Sequence, residues 1–166
     1  MAKTFGTSND AIAAALKSFK GIKRRFSYQI KESNLVYIDD YAHHPTEIDA
    51  VFQAVSELYP NQKVLAIFQP HLFSRTRDFA DGFAKSLSKF DEVLLLDIYP
   101  ARELPIVGIT SSWLLDKMTN EHKKVVSKTD LIAQILESEA KIIVTIGAGD
   151  IGELVPSIKQ ALQNKN

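Results

Sequence analysis

Leu35-Val36-Tyr37-Ile38-Asp39-Asp40-Tyr41-Ala42-His43-His44-Pro45 is the stretch on which the fold turns. Its first four residues are a short apolar strand, and a polar loop follows. Pro45 then stands where a helix accepts proline, at its first position, with His44 as cap and Glu47 in the first turn, so a helix is expected over Pro45–Leu58. Upstream, Phe26–Ile30 alternates with period two and Glu32-Ser33-Asn34 makes a turn into Leu35–Ile38, which gives an antiparallel hairpin. Before it, Thr7-Ser8-Asn9-Asp10 supplies cap residues for a helix over Ala11–Phe19, with Ile12, Leu16 and Phe19 on one face and Gly21 ending it. Downstream, strands at Lys63–Phe68, Glu92–Asp97, Lys124–Ser127 and Lys141–Ile146 alternate with helices at Thr76–Lys89, Ser111–Lys117, Thr129–Leu136 and Asp150–Leu162. Such alternation means crossover units. The expected fold is one α/β domain with a mixed, mostly parallel six-stranded sheet, its N-terminal hairpin strand antiparallel, and a frayed tail from Gln163 to Asn166.

Composition narrows the function classes. The 166 residues are 45% hydrophobic and 24% charged, with 20 Lys+Arg against 20 Asp+Glu. A chain of this size buries roughly 70% of its unfolded surface, so it builds a core without staples. Balanced charge gives no general field for nucleic acid or an anionic membrane, so any anion site is local. The absence of cysteine removes disulfides, CxxC zinc sites, iron-sulfur clusters and thiol catalysis. Apolar runs such as Val93–Leu96 and Ile142–Ile146 fall far short of the roughly 20 residues that span a bilayer, and no signal core is seen, so a cytoplasmic location is expected.

In open α/β sheets ligands bind beyond the carboxyl ends of the strands, and the loops there are unusually polar. They are Asp39–Pro45, then Gln69-Pro70-His71-Leu72-Phe73-Ser74-Arg75-Thr76-Arg77, then Asp97-Ile98-Tyr99-Pro100-Ala101-Arg102-Glu103, and they hold three of the four histidines. His43 and His44 suit either a site or plain loop and helix-start packing. Asp39, Asp40, His43 and His44 include donor types that metals accept, yet consecutive strand residues face opposite ways, which counts against one ion held by both aspartates. Arg75, with His71, can hold a carboxylate or phosphate, a bidentate arginine fixing its orientation. Arg77 reads instead as pairing with Asp78 or Asp81, and Arg24-Arg25 as surface charge or an arm toward phosphate. Gly147-Ala148-Gly149-Asp150-Ile151-Gly152 matches GxGxxG, but it follows the last strand, and too few residues remain for the acidic residue expected about 20 further on. Its glycines read as a tight turn that allows close backbone approach. No GxxxxGK[ST] loop is present, so ATP has no phosphate cradle of this chain's own.

Phe19-Lys20-Gly21-Ile22-Lys23-Arg24-Arg25-Phe26, Asp39-Asp40-Tyr41-Ala42-His43-His44-Pro45-Thr46-Glu47, Phe68-Gln69-Pro70-His71, Ser74-Arg75-Thr76-Arg77 and Gly147-Ala148-Gly149-Asp150-Ile151 occur in this order. Together they resemble the C-terminal domain of the Mur ligases. The resemblance implies a Rossmann-like three-layer domain over residues 1–166, with residues 1–6 as the tail of a preceding central domain. It implies a part in peptidoglycan precursor synthesis: ATP-driven addition of L-alanine to UDP-N-acetylmuramate through an acyl phosphate, needing an N-terminal and a central domain, so that this domain alone is inactive. ATP and Mg2+ are then expected in the full enzyme, and no metal or cofactor on this domain by itself. By position, Arg25 and Asp40 are similar to the ATP contacts, His43 to a catalytic histidine near the amino acid and transferred phosphate, and His71, Arg75 and Tyr41 to the L-alanine site. Leu72 stands where many alanine-adding members carry arginine, and Arg102 where many carry glycine, which leaves the carboxylate clamp short of a charge unless Arg77, Arg102 or another group supplies it. A ligase that recycles murein peptides, a non-catalytic nucleotide- or carboxylate-binding module, and a small metal-dependent hydrolase are the alternatives. The Asp40–His43 and His71–Arg75 loops are expected to be partly exposed toward the missing domains.

Overall fold

A computed structural model describes residues 2–18 and 22–165. The strands are β1 (Ser27–Lys31), β2 (Val36–Asp40), β3 (Val64–Phe68), β4 (Glu92–Leu95), β5 (His122–Val125) and β6 (Ile142–Ile146). They form one sheet in the order β1-β2-β6-β3-β4-β5. β1 pairs antiparallel with β2, and the remaining pairs are parallel. The α/β class, the mixed sheet and the antiparallel hairpin are therefore as the sequence implied.

β2, β3 and β6 are buried along their whole length, as expected of strands covered on both faces. On one face, Val36, Ile38, Ala66, Phe68 and Val144 pack with Ile48, Val51 and Val55 of α2 (Pro45–Leu58) and Phe83 and Leu87 of α4 (Ala80–Leu87). On the other, Tyr37, Leu65, Ile67 and Ile143 pack with Leu131 and Ile135 of α6 (Leu131–Glu137) and Ile151, Val155 and Ile158 of α7 (Ile151–Lys165). Each fully buried aliphatic side chain contributes about 1.5–3 kcal/mol. The outer strand β5 carries Lys123 and Lys124, charges that discourage further strand addition at that edge.

Some boundaries differ from expectation. The helix expected over Thr76–Lys89 is two, α3 (Phe73–Asp78) and α4, broken at Phe79, whose φ of −115° and ψ of 19° leave the helical region. The strand expected at Lys124–Ser127 lies at His122–Val125, because Ser127 is committed to a turn in which its Oγ bonds Asp130 and Thr129. β4 stops at Leu95, two residues before Asp97. The tail expected to fray is helical through Lys165, whose Nζ bonds Leu136 O and Ser138 O. α5 (Ser111–Asp116) is capped by Thr110, whose side chain accepts from the Trp113 N–H at 3.0 Å. α1 (Asn9–Ser18) begins two residues before the expected Ala11, with Ser8 Oγ accepting from the Ala11 N–H, but it buries none of its residues, and Leu16 is 70% exposed. Phe19 and Gly21, expected in and after that helix, lie outside the described residues.

Candidate functional site

The site grows from the end of β2, where two adjacent carboxylates part. Asp39 turns to the Tyr37 face, accepting from Arg24 Nε at 2.9 Å and from Thr145 Oγ1 at 2.9 Å, and is almost wholly buried. Arg24 also donates from Nη2 to Gly147 O at 2.6 Å. A Cβ on Gly152 would sit 2.7 Å from the Arg24 Cζ. Asp40 turns to the α2 face, its Oδ2 accepting from the Phe26 N–H at 2.6 Å and its Oδ1 from the Ala42 N–H at 2.8 Å. Burial pushes the Asp40 carboxyl up, against those two hydrogen bonds and the charge of Arg25. Asp40 and the exposed Arg25 line an open cleft of about 370 Å³ whose floor is Phe26, Ala50, Val51 and Ala54, with Glu47 at its side.

The following loop is fixed by the start of α2. His44 caps that helix: its Nδ1 accepts from the Thr46 N–H at 3.4 Å and lies 2.9 Å from Thr46 Oγ1. Glu47 accepts from the backbone N–H of both His43 (2.8 Å) and His44 (3.1 Å). Burial alone would raise the Glu47 carboxyl, but the hydrogen bonds from His43 and His44 and the charges of His43 and Arg25 hold it below its usual range. So anchored, the His43 ring sits with Nδ1 3.0 Å from Tyr41 O and 3.4 Å from Glu47 Oε2. An Nδ1–H tautomer makes the bond to the carbonyl and leaves Nε2 as the free acceptor.

The loop after β3 meets it. His43 and His71 stand edge to face at 6.3 Å, Tyr41 packs on His43 at 5.4 Å, and Tyr99 stacks on His71 at 5.6 Å. Arg75 Nη1 lies 3.5 Å from His71 Nδ1. Burial, then the charges of Arg75 and His43, push the His71 imidazole below its ordinary value, opposed by Glu103. His71 is therefore neutral near pH 7, and the charge of this pair resides on Arg75.

Behind these rings the glycine segment closes tightly. Gln69 is buried, its Oε1 accepting from the Ile151 N–H at 2.9 Å and its Nε2 donating to Asp150 at 2.7 Å. A Cβ on Gly149 would meet Gln69 Oε1 and stand 2.7 Å from Tyr99 Cβ; one on Gly147, whose φ is 148°, would stand 2.9 Å from Gln69 O. This is the close approach expected of that motif. Asp150, ion-paired with Lys128, faces a cleft of about 520 Å³.

Of the residues singled out in the sequence, Tyr41, His43, His71 and Arg75 come together, while Arg25 and Asp40 share the neighbouring cleft. His44 is a helix cap, and Arg77 pairs with Asp78 at 2.7 Å, as its plain reading implied. The two loops are partly exposed as expected, Tyr41 being exposed and His43, His71 and Arg75 half-buried, but Asp40 and Ala42 are buried. Arg102 is exposed at a turn. Among the described residues no group of three or more His, Cys, Asp or Glu is placed to hold a metal. Arg24, read as surface charge or an arm toward phosphate, is corrected: it is half-buried and bridges Asp39 and Gly147; sequence reading also missed the roles of Gln69, which pins the glycine turn, and of Glu103, bonded to Ser74. These ties join segments far apart in the chain, and only the placement of Gln69 and Glu103 in post-strand loops hinted at them.

The family model described as Mur ligase, glutamate ligase domain matches residues 24–149. The chain is 75% identical over 166 residues to a UDP-N-acetylmuramate–L-alanine ligase of Flavobacterium johnsoniae, covering 100% of the chain and 37% of that protein. It is 48% identical over 159 residues to the ligase of that name from Porphyromonas gingivalis, covering 95% and 35%. The chain thus spans little more than a third of the length of these relatives. Among solved structures it resembles the UDP-N-acetylmuramate-alanine ligase of Thermotoga maritima with a TM-score of 0.74 at 26% identity, covering 99% of the chain and 36% of that protein. It also resembles a murein peptide ligase of Psychrobacter arcticus, with a TM-score of 0.68 at 24% identity and coverage of 98% and 35%.

Proposed function

The chain belongs to the Mur ligase family, and from that premise we propose that it is the C-terminal domain of a cytoplasmic, ATP-dependent ligase that adds L-alanine to UDP-N-acetylmuramate. In that reaction the muramoyl carboxylate takes the terminal phosphoryl group of ATP, giving an acyl phosphate and ADP. The alanine nitrogen then bonds to the acyl carbon as the carbon–oxygen bond to phosphate breaks, and the amine gives up a proton. One observation carries the reading: two loops from different strands place Tyr41, His43, His71 and Arg75 in one row. Such a row suits a small amino acid. Arg75 offers a guanidinium fork for its carboxylate, neutral His71 does not compete for that anion, and the free His43 Nε2 can take the amine proton.

The adjacent cleft suits a nucleotide. Phe26, Ala50, Val51 and Ala54 form an apolar floor for a base, Asp40 is placed to accept from ribose hydroxyls, and Arg25 is free for phosphate. Mg2+ would neutralise phosphate charge when bound, but no described cluster here fits it, and Asp39 and Asp40 diverge. In this reading the metal and the phosphate cradle belong to the preceding domains, and the chain alone is inactive. Residues 1–6 are read as the tail of the preceding domain, and α1 after them buries none of its residues here. No helix among the described residues is long and apolar enough to cross a membrane.

The test is kinetic, in the full-length protein encoded at the same locus. Arg75→Met is expected to raise the KM for L-alanine about 10–100-fold with little change in the KM for ATP. Asp40→Asn and Arg25→Met should do the reverse. An Arg75 variant with an unaltered alanine KM would remove the amino-acid reading of the row.

A further inference from the structure

α3 starts without a cap of its own. The residue before it is Leu72, which has no side-chain hydrogen bond to offer, and its φ of 72° lies in a region that strains a residue bearing a side chain. That conformation is held by another segment. The Leu72 N–H donates to Tyr99 O at 2.9 Å, the Tyr99 N–H donates to Pro70 O at 2.8 Å, and the Tyr99 ring stacks on His71. The same segment then makes a tight turn, closed by the Glu103 N–H to Pro100 O at 2.9 Å with Ala101 at a φ of 51°. The turn aims the Glu103 carboxylate at α3, where it accepts from the Ser74 N–H at 2.9 Å and from Ser74 Oγ. A carboxylate from a loop that follows β4 thus performs the capping that Leu72 cannot.

We propose that Glu103 is a positioning residue for the Arg75–His71 pair, capping α3 from outside so that the guanidinium stands where an amino-acid carboxylate must meet it. The inference rests on the reading of Arg75 given above. Ser74 directly precedes Arg75, and α3 is only six residues long, so release of its first turn moves Arg75. The hydrogen bonds from Ser74 Oγ and the Ser74 N–H, stronger than the small effect of burial and aided by Phe73 and Arg75, keep Glu103 below its usual range and so ionised at neutral pH. Its charge also reaches His71, where it opposes Arg75 and His43. Glu103 touches neither substrate nor reacting atoms; it acts through Arg75.

Two arms test this. In the full-length protein, Glu103→Ala is expected to raise the alanine KM about tenfold or more, because displacements near 1 Å at a positioned group are that costly, while kcat and the ATP KM stay within about threefold. Glu103→Gln, which keeps one acceptor oxygen, should fall between Ala and the parent. In the 166-residue chain, NMR titration of the His71 ring should show a lower midpoint in Glu103→Gln than in the parent. An unchanged His71 midpoint together with an unchanged alanine KM overturns the proposal, as does an equal loss with every substrate at constant alanine KM. A parent enzyme with no alanine-dependent turnover would instead overturn the proposed function, and the His71 titration would still decide the role of Glu103.

Discussion

Asp39 and Asp40 are neighbours in the chain, yet one belongs to a closed region and the other borders an open one. Asp39 is closed in by Arg24 and Thr145, which both donate to it, and Arg24 is tied in turn to the Gly147 carbonyl. On the other side, Asp40 and Arg25 border a cleft, and half-buried His43, His71 and Arg75 keep spare donors or acceptors. The alternation of a strand produces this division, because residues one apart face opposite layers. The closed region holds the backbone in place so that the open region can present fixed side chains to something outside the chain.

Substitutions should separate the two regions. In the closed one, Arg24→Met leaves Asp39 buried without its cation and is expected to cost about 3 kcal/mol in urea unfolding. Gly149→Ala drives a methyl group against Gln69 and Tyr99 and should cost about 2 kcal/mol, measured in the same way. At the loop between the regions, His44→Ala removes a helix cap and should cost about 1 kcal/mol, whereas His43→Ala, one residue earlier, should change stability by less than about 0.5 kcal/mol. If His43 proved as costly as His44, the open region would be structural. Smaller still, Leu16→Ser on α1 should stay within about 0.5 kcal/mol, since that side chain is already in solvent. A larger loss there would show α1 packed against this domain.

Protonation sharpens the same contrast. The folded state lowers the His71 value below 6.5, so in the window just under 6.5 the unfolded chain binds more protons than the folded one. His71 therefore adds stability as pH rises through that window and withdraws it as pH falls. His71→Phe should flatten this part of a stability–pH profile. Asp40 acts the other way: its value is raised, so stability falls as pH climbs above the unfolded 3.8 toward the folded value.

What the sequence revealed was local. Pro45, His44 and Glu47 lie within four residues, and α2 has the boundaries they imply. The hairpin and the central strands followed from alternation and apolar runs. The break at Phe79 carries no glycine or proline, and the N-terminal shift of β5 depends on a side-chain turn at Ser127, so neither boundary was visible in periodicity. At the site, the loops were marked by polar residues after strands, which brought out His43, His71 and Arg75, while Tyr41 came from the family resemblance. The ties that hold those loops, Arg24 to Gly147 and Glu103 to Ser74, join segments 123 and 29 residues apart, a separation no local pattern reports.

The central claim is that this chain lends contacts to a site completed by other domains. The most direct measurement is alanine-dependent phosphate release from UDP-N-acetylmuramate and ATP, by the 166 residues alone and by the full-length protein encoded at the same locus. The account predicts release only by the longer protein, with loss in Asp40→Ala and Arg75→Ala. Turnover by the 166 residues alone would contradict it, because a chain with no phosphate loop would then be handling ATP unaided.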